Sequence, residues 1–187
     1  MEISWNDFEK IEIHTCSAPV PDTVFDALLA PALAGHDVGL LSEAGLPAVA
    51  DPGTALVAAA HRAGVRVWPL AGPSSITLAL AASGLGGQNF AFVGYLPQDA
   101  ATRATRLREL ERLSARAGQT QLVIETPYRN AALFGALVAT LAPGTRLAVS
   151  CGLTLPQGWT RTARIADWHR EPASLPDRVP AVFAFLA

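Results

Sequence analysis

From residue 22 onward the sequence switches repeatedly between two hydrophobic periods, and this alternation limits the fold more than any other feature. Asp22 to Ala34 places Val24, Phe25, Leu28, Leu29 and Leu33 on one helical face, with Gly35 as the stop. Pro31 lies inside that stretch and implies a kink or an early end. Asp37 to Leu41 is an apolar run of strand length. Thr54 to Arg62 reads as a helix closed by Gly64, and Val65 to Trp68 as a strand. Ser74 to Ser83 is a helix followed by Gly84, and Phe90 to Val93 is a third strand. Strand, helix, strand, helix, strand with short connections implies right-handed crossovers, hence a parallel sheet flanked by helices.

After Gly94-Tyr95-Leu96-Pro97 the character of the chain changes. A charged helix spans Thr102 to Ala117, followed by a strand at Gln121 to Glu125 and a helix at Arg129 to Leu141. Pro143-Gly144 turns the chain into a strand at Arg146 to Ser150, and further strands fall near Thr160 to Ile165 and Val179 to Leu186. Helices separate these strands unevenly, so a mixed sheet is expected. The expected fold class is α/β, with two α/β domains: residues 1–95, a parallel sheet with flanking helices, and residues 96–187, a mixed sheet.

Composition agrees with a buried core, since 50% of residues are hydrophobic and 16% charged. A formal net charge of −2 excludes strong overall attraction to nucleic acid, but not a local basic patch. Cys16 and Cys151 form neither a disulfide framework nor a metal-ligand spacing, and His14, His36, His61 and His169 are scattered, so no metal is expected. Trp5, Trp68, Trp159 and Trp168 read as packing residues. Met1 to Asp22 carries Glu2, Asp7, Glu9 and Glu12 and no apolar run, so a soluble, cytoplasmic protein without a membrane anchor is expected.

In open α/β sheets ligands bind beyond the carboxyl ends of strands, and three segments qualify. Ser42-Glu43-Ala44-Gly45-Leu46-Pro47, continuing to Asp51-Pro52-Gly53, is long for a strand-to-helix connection, although Asp51 also suits a helix cap. Pro69-Leu70-Ala71-Gly72-Pro73-Ser74-Ser75 runs from a strand into a helix, where the serines either cap that helix or bind a polar ligand. Glu125-Thr126-Pro127-Tyr128-Arg129 suits a polar ligand or a structural ion pair.

These segments, in the order SEAGxPxxxDPG, PLxGPSS, GYLP and ETPYR, resemble the tetrapyrrole-methylase-like (class III) S-adenosylmethionine-dependent methyltransferases. The nearest branch is that of ribosomal RNA small subunit methyltransferase I, whose usual forms are SDAGTPxxxDPG, PGPSA, GFLP and YExPHR. The resemblance covers residues 36–154. It implies two α/β domains with S-adenosylmethionine held in the cleft between them, usually in a homodimer, and RNA as a possible substrate. Carried over by position, Ala44, Gly45, Leu46 and Pro47 would line the cofactor loop, with Ser74 and Ser75 beside it. Tyr95, Leu96 and Pro97 would form the hinge wall, and Tyr128 and Arg129 would face the cleft.

Three departures qualify that reading. Such chains open with a strand and loop of the form PTPIGNLxD, to which Met1 to His14 does not correspond. In Ser150-Cys151-Gly152-Leu153-Thr154, Cys151 and Gly152 stand where the family's ARELT has Arg and Glu. Val179-Pro180 replaces a GE before the last strand. Three functions follow as expectations: a methyltransferase acting on ribosomal RNA or a related nucleic acid, a catalytically inactive dimeric relative binding cofactor weakly or not at all, or, the weakest, a methylase of a small tetrapyrrole-like acceptor. Any hydroxyl acceptor needs its proton removed. Glu43, Asp51 and Glu125 are the candidate carboxylates, with Glu125 preferred for its strand-end position. The charged helix holds Arg103, Arg106, Arg108, Arg112 and Arg116, five of thirteen arginines. With Glu109 and Glu111 interleaved, a solvated face is favoured there over a phosphate-contacting stripe.

Overall fold

The computed structural model describes His14 and residues 22–187. Compactness divides the chain into two units, up to Gly72 and from Pro73 to Ala187. In the first, helix α1 (Asp22–Leu33) and helix α2 (Thr54–Arg62) pack through Phe25 and Leu29 against Ala59 and Ala60, with Leu28, Leu56 and Val65 at the margin. The alanines on α2 leave no side-chain bulk between the helices. Pro31 does not break α1, which ends two residues later, and its carbonyl accepts from the Ala34 and His36 N–H groups at 3.1 and 3.0 Å.

The strands expected at Asp37–Leu41 and Val65–Trp68 do not form ladders among the described residues. An apolar run supplies the side chains of a strand, but a strand exists only when a neighbour takes up its N–H and C=O groups. Both segments instead run without regular structure and expose Leu41, Trp68 and Leu70. Trp68 is therefore not a packing residue. Its ring carries the Arg66 guanidinium 4.4 Å above its centroid. Trp5 and Cys16 lie outside the described residues.

The second unit is a five-stranded sheet ordered β1 (Phe90–Tyr95), β2 (Thr120–Ile124), β5 (Ala181–Leu186), β3 (Arg146–Cys151), β4 (Trp159–Arg164). Phe90–Tyr95, expected in a sheet with the preceding strands, pairs in parallel with β2 instead. All other pairs are antiparallel, which gives the mixed sheet expected of the later strands. The last strand is the central one. Val182, Phe183, Ala184 and Phe185 face β2 on one side and β3 on the other.

Alternation along β5 decides what each face can hold. Phe183 and Phe185 enter the larger core, with Leu147, Val149, Leu107, Leu110, Leu133, Leu137 and Trp168. Helices α4 (Ala100–Ala117), α5 (Asn130–Thr140) and α6 (Ile165–Arg170) cover that face. Val182 and Ala184 face the other way with Ala148 and Leu122, and these smaller side chains receive the single helix α3 (Ser75–Ser83) through Ile76, Ala79 and Leu80. Trp168 is fully buried, donates from Nε1 to the Leu147 carbonyl at 2.9 Å, and meets Phe134 edge-on at 5.3 Å. Between β3 and β4 the backbone doubles back so tightly that a side chain on Gly158 would begin 2.0 Å from the Gly152 carbonyl oxygen.

Phe183 is fully buried at the sheet's centre. Phe183→Ala is expected to cost about 3–5 kcal/mol in denaturant unfolding, from lost burial plus the cavity left behind. A loss below about 1 kcal/mol would contradict a core organised on β5.

Candidate functional site

Parallel pairing aligns the carboxyl ends of β1 and β2, since Tyr95 is in register with Ile124. The chain leaves these ends as Leu96-Pro97 and as Glu125-Thr126-Pro127-Tyr128-Arg129. A register shift between Phe92 and Gly94, with Gly94 at φ +79°, bulges β1 one residue before Tyr95. Bulges re-aim the side chain that follows, and the Tyr95 ring is exposed. Leu96, expected in a ligand-facing wall, is buried in the larger core, so its side chain faces packing rather than solvent.

The end of β2 is built around one carboxylate. Glu125 Oε1 accepts from the Thr126 N–H at 2.8 Å and the Thr126 hydroxyl at 3.3 Å, and Oε2 accepts from Arg129 Nη2 at 2.5 Å. These bonds close a short 3₁₀ turn, Pro127–Arg129, which presents Tyr128 with 71% of its surface exposed. Burial pushes the Glu125 carboxyl up, but the Arg129 and Thr126 hydrogen bonds and the Arg129 charge outweigh it and hold it below the ordinary range. The Glu125 hydrogen bond correspondingly raises Arg129. A general base needs an open lone pair and a pKa near working pH. Glu125 has both oxygens engaged and is a weaker base than free glutamate, which favours an anchoring role for it.

Asn130, which the sequence did not single out, and the departures at 151–152 and 179–180 complete this end of the sheet. Asn130, 1% exposed at the start of α5, donates from Nδ2 to the Val179 carbonyl at 3.0 Å, while its Oδ1 is buried without a partner. Val179-Pro180 thus ties α5 to the entry of β5, and the Pro180 carbonyl accepts from the Gly152 N–H at 2.9 Å. Cys151 is buried, its thiol pushed up by that burial, and Gly152 turns the chain with φ +62°. At the departures 151–152 and 179–180 the chain thus places a buried cysteine, a left-handed turn and a carbonyl that the turn's N–H bonds. The only sequence signal for Asn130 was its place one residue beyond the ETPYR segment.

Helix α3 runs back along the opposite face. The Thr120 hydroxyl, at the start of β2, donates to the Leu85 and Gly86 carbonyls just beyond the C-terminal end of α3, at 3.2 and 3.1 Å. The first turn of α3, with Ser74 and Ser75, accordingly lies toward the carboxyl ends of β1 and β2. Ser74 occupies the N-cap position without a side-chain capping bond, so its hydroxyl is not committed there.

In the first unit, residues 42–53 fold back on themselves. Ala48 N–H donates to the Pro52 carbonyl at 3.3 Å, Val49 N–H to Leu46 at 3.2 Å, and the Thr54 hydroxyl to the Ala48 carbonyl at 3.3 Å. Four residues, Gly45, Ala48, Ala50 and Gly53, have positive φ. The alanines lack glycine's freedom, and each such residue costs about 1–2 kcal/mol. The N-cap of α2 is Gly53 rather than Asp51. Asp51 does not cap the helix: its Oδ2 is buried and has no hydrogen-bond partner. Leu46 Cδ1 lies 3.9 Å from where a Gly72 side chain would start. Ala44 and Gly45 are exposed, and Leu46 and Pro47 half-buried.

The family described as Tetrapyrrole (Corrin/Porphyrin) Methylases matches residues 7–167. The chain belongs to this family. It is 41% identical over 151 residues to a ribosomal RNA small subunit methyltransferase I of Mesorhizobium japonicum, covering 80% of this chain and 50% of that protein. The Xylella fastidiosa protein of the same name is 38% identical over 128 residues, 68% of this chain and 45% of its own length. The chain thus spans about half the length of these relatives. Among solved structures, the methyltransferase CobJ superposes with a TM-score of 0.58 at 20% identity, covering 91% of this chain and 73% of the other. A uroporphyrin-III C-methyltransferase of Thermus thermophilus complexed with S-adenosylhomocysteine gives 0.53 at 20% identity, over 88% and 72%. These two establish the α/β fold.

Because the folded-state pKa of Glu125 is depressed, its contribution to stability is present above the unfolded-state value and is lost as pH falls through the folded one. Glu125→Gln should lower the urea midpoint near neutral pH, and the difference from wild type should close in acid. A pH-independent difference would show that the charge plays no part.

Proposed function

We propose that this chain carries the cofactor-binding elements of an S-adenosylmethionine-dependent methyltransferase acting on ribosomal RNA or a related nucleic acid. The observation that carries the reading is the 42–53 loop, whose left-handed alanines and unpartnered Asp51 oxygen have no structural explanation within the loop. Strain of this kind persists where a ligand or partner is served by it. Relatives named ribosomal RNA methyltransferases supply the acceptor class.

In this reading Ala44, Gly45, Leu46 and Pro47 offer backbone groups to the cofactor, and Ser74 and Ser75 offer hydroxyls. The exposed rings of Tyr95 and Tyr128 bound the site, with Leu96 and Pro97 fixing the first and Arg129, tied to Glu125, fixing the second. Bound S-adenosylmethionine supplies an activated methyl group. The chain's own residues align the reactants and exclude water, and alignment of this kind is worth roughly 7–11 kcal/mol in well-oriented cases. The functional division that fits this assignment falls between residues 95 and 96. A homodimer in the cytoplasm completes the reading, with exposed Leu41, Trp68 and Leu70 as apolar surface for a second copy to cover. Among the described residues no helix is long and apolar enough to cross a membrane, and no cluster of His, Cys, Asp or Glu could hold a metal ion.

One observation favours a second reading, a binding module without turnover. The end of β3 carries a buried Cys151 and a turning Gly152, and the nearby Glu125 has both carboxylate oxygens hydrogen-bonded, so none of these three positions supplies an uncommitted acid or base.

Calorimetric titration of S-adenosylmethionine and S-adenosylhomocysteine tests both. The proposal expects saturable binding, weakened about tenfold or more by Gly45→Val, because a β-branched residue is strained at φ +78°. No binding at millimolar cofactor would refute the cofactor assignment. Binding without methyl transfer to any RNA would support the second reading.

A further inference from the structure

Helix α4 carries a row of arginines whose interleaved acids are engaged by other partners. Arg108, Arg112 and Arg116 recur every fourth residue, drift about 40° per step and form one strip about 12 Å long. All three are exposed. The opposite face, with Leu107, Leu110 and Ser114, is buried against the sheet. Sequence alone favoured a solvated face because Glu109 and Glu111 alternate with the arginines. The structure draws Glu111 away from the strip and pairs Glu109, at its margin, with Arg106. Glu111 points to the start of β3, accepting from the Ala142 N–H at 2.7 Å and the Thr145 hydroxyl at 2.5 Å. Glu109 pairs with Arg106 at 3.2 Å. Among the described residues Arg108, Arg112 and Arg116 have no ion-pair partner.

Like charges spaced four apart destabilise a helix by about 0.2–0.5 kcal/mol per pair. The helix macrodipole offsets this for Arg116, in the last turn, but not for Arg108 or Arg112. The chain as a whole is slightly acidic, so the strip is a local device and not a by-product of a basic composition. A row of guanidinium groups without aromatic or large apolar neighbours on the strip matches a regularly charged polyanion better than a folded protein surface, which contributes aromatic anchors.

We infer that Arg108, Arg112 and Arg116 form a phosphate-contacting track for RNA. This rests on the RNA acceptor proposed above and names a surface through which that acceptor is held. The test is equilibrium binding of a labelled single-stranded RNA of mixed sequence to the full chain over a range of salt. Each single-strand phosphate contact contributes about 0.7 to the slope of log affinity against log salt. The variant Arg108→Gln/Arg112→Gln/Arg116→Gln should therefore lose about 2 from that slope, with calorimetric S-adenosylhomocysteine binding unchanged. The Arg→Lys triple variant should keep most of the slope, which separates charge from helix stability. An unchanged slope in the glutamine variant would overturn the inference. So would wild type failing to bind RNA, and cofactor binding retained in that case would leave the cofactor assignment standing. Polyglutamate binding more tightly than RNA at equal charge concentration would also overturn it, in favour of an acidic protein partner.

Discussion

The pairing of the last strand with both β2 and β3 is the interaction on which the second unit depends. Without β5 the sheet separates into β1–β2 and β3–β4, with no hydrogen bond between them. Phe183 and Phe185 join the strand to the three-helix face, and Val182 and Ala184 join it to α3. Pairing on both sides also brings the end of β2, the entry of β5 and the end of β3 to one edge of the sheet. The candidate site is therefore a consequence of sheet register before it is a matter of any one residue.

That edge holds its polar groups in two ways. Glu125 is saturated, its oxygens held by Thr126 and Arg129, and the result is a fixed turn that carries Tyr128 outward. Asn130 Oδ1 and, in the first unit, Asp51 Oδ2 are buried without partners. A buried acceptor left unsatisfied costs about 1–3 kcal/mol, so such atoms mark where a ligand or water would be accommodated at a gain.

Much of this was legible in the residues. The helices α1 to α5 and the five strands of the second unit fall where periodicity and glycine stops place them, and the mixed sheet followed from their uneven spacing. Four motifs in order gave the family, which the match over residues 7–167 established. The strands at 37–41 and 65–68 were misread because periodicity reports which side chains are apolar, not which backbone offers a partner. Trp68 was misassigned for the same reason, since no pattern tells a buried indole from an exposed one stacked under Arg66. The preference for Glu125 as a base came from strand-end position, whereas its two committed oxygens are a tertiary fact. Glu111 likewise looked like a neutralising neighbour of the arginines until Thr145 and the Ala142 amide were placed against it.

The central proposal is that the strained 42–53 loop and the ends of β1 and β2 take up S-adenosylmethionine. Amide hydrogen exchange with and without S-adenosylhomocysteine tests it most directly, since exchange reports protection segment by segment. The account predicts slowed exchange confined to residues 42–53, 74–75, 95–97 and 126–129, with β3, β4 and α6 unaffected. Protection elsewhere, or none in the 42–53 loop while the ligand is bound, would contradict it.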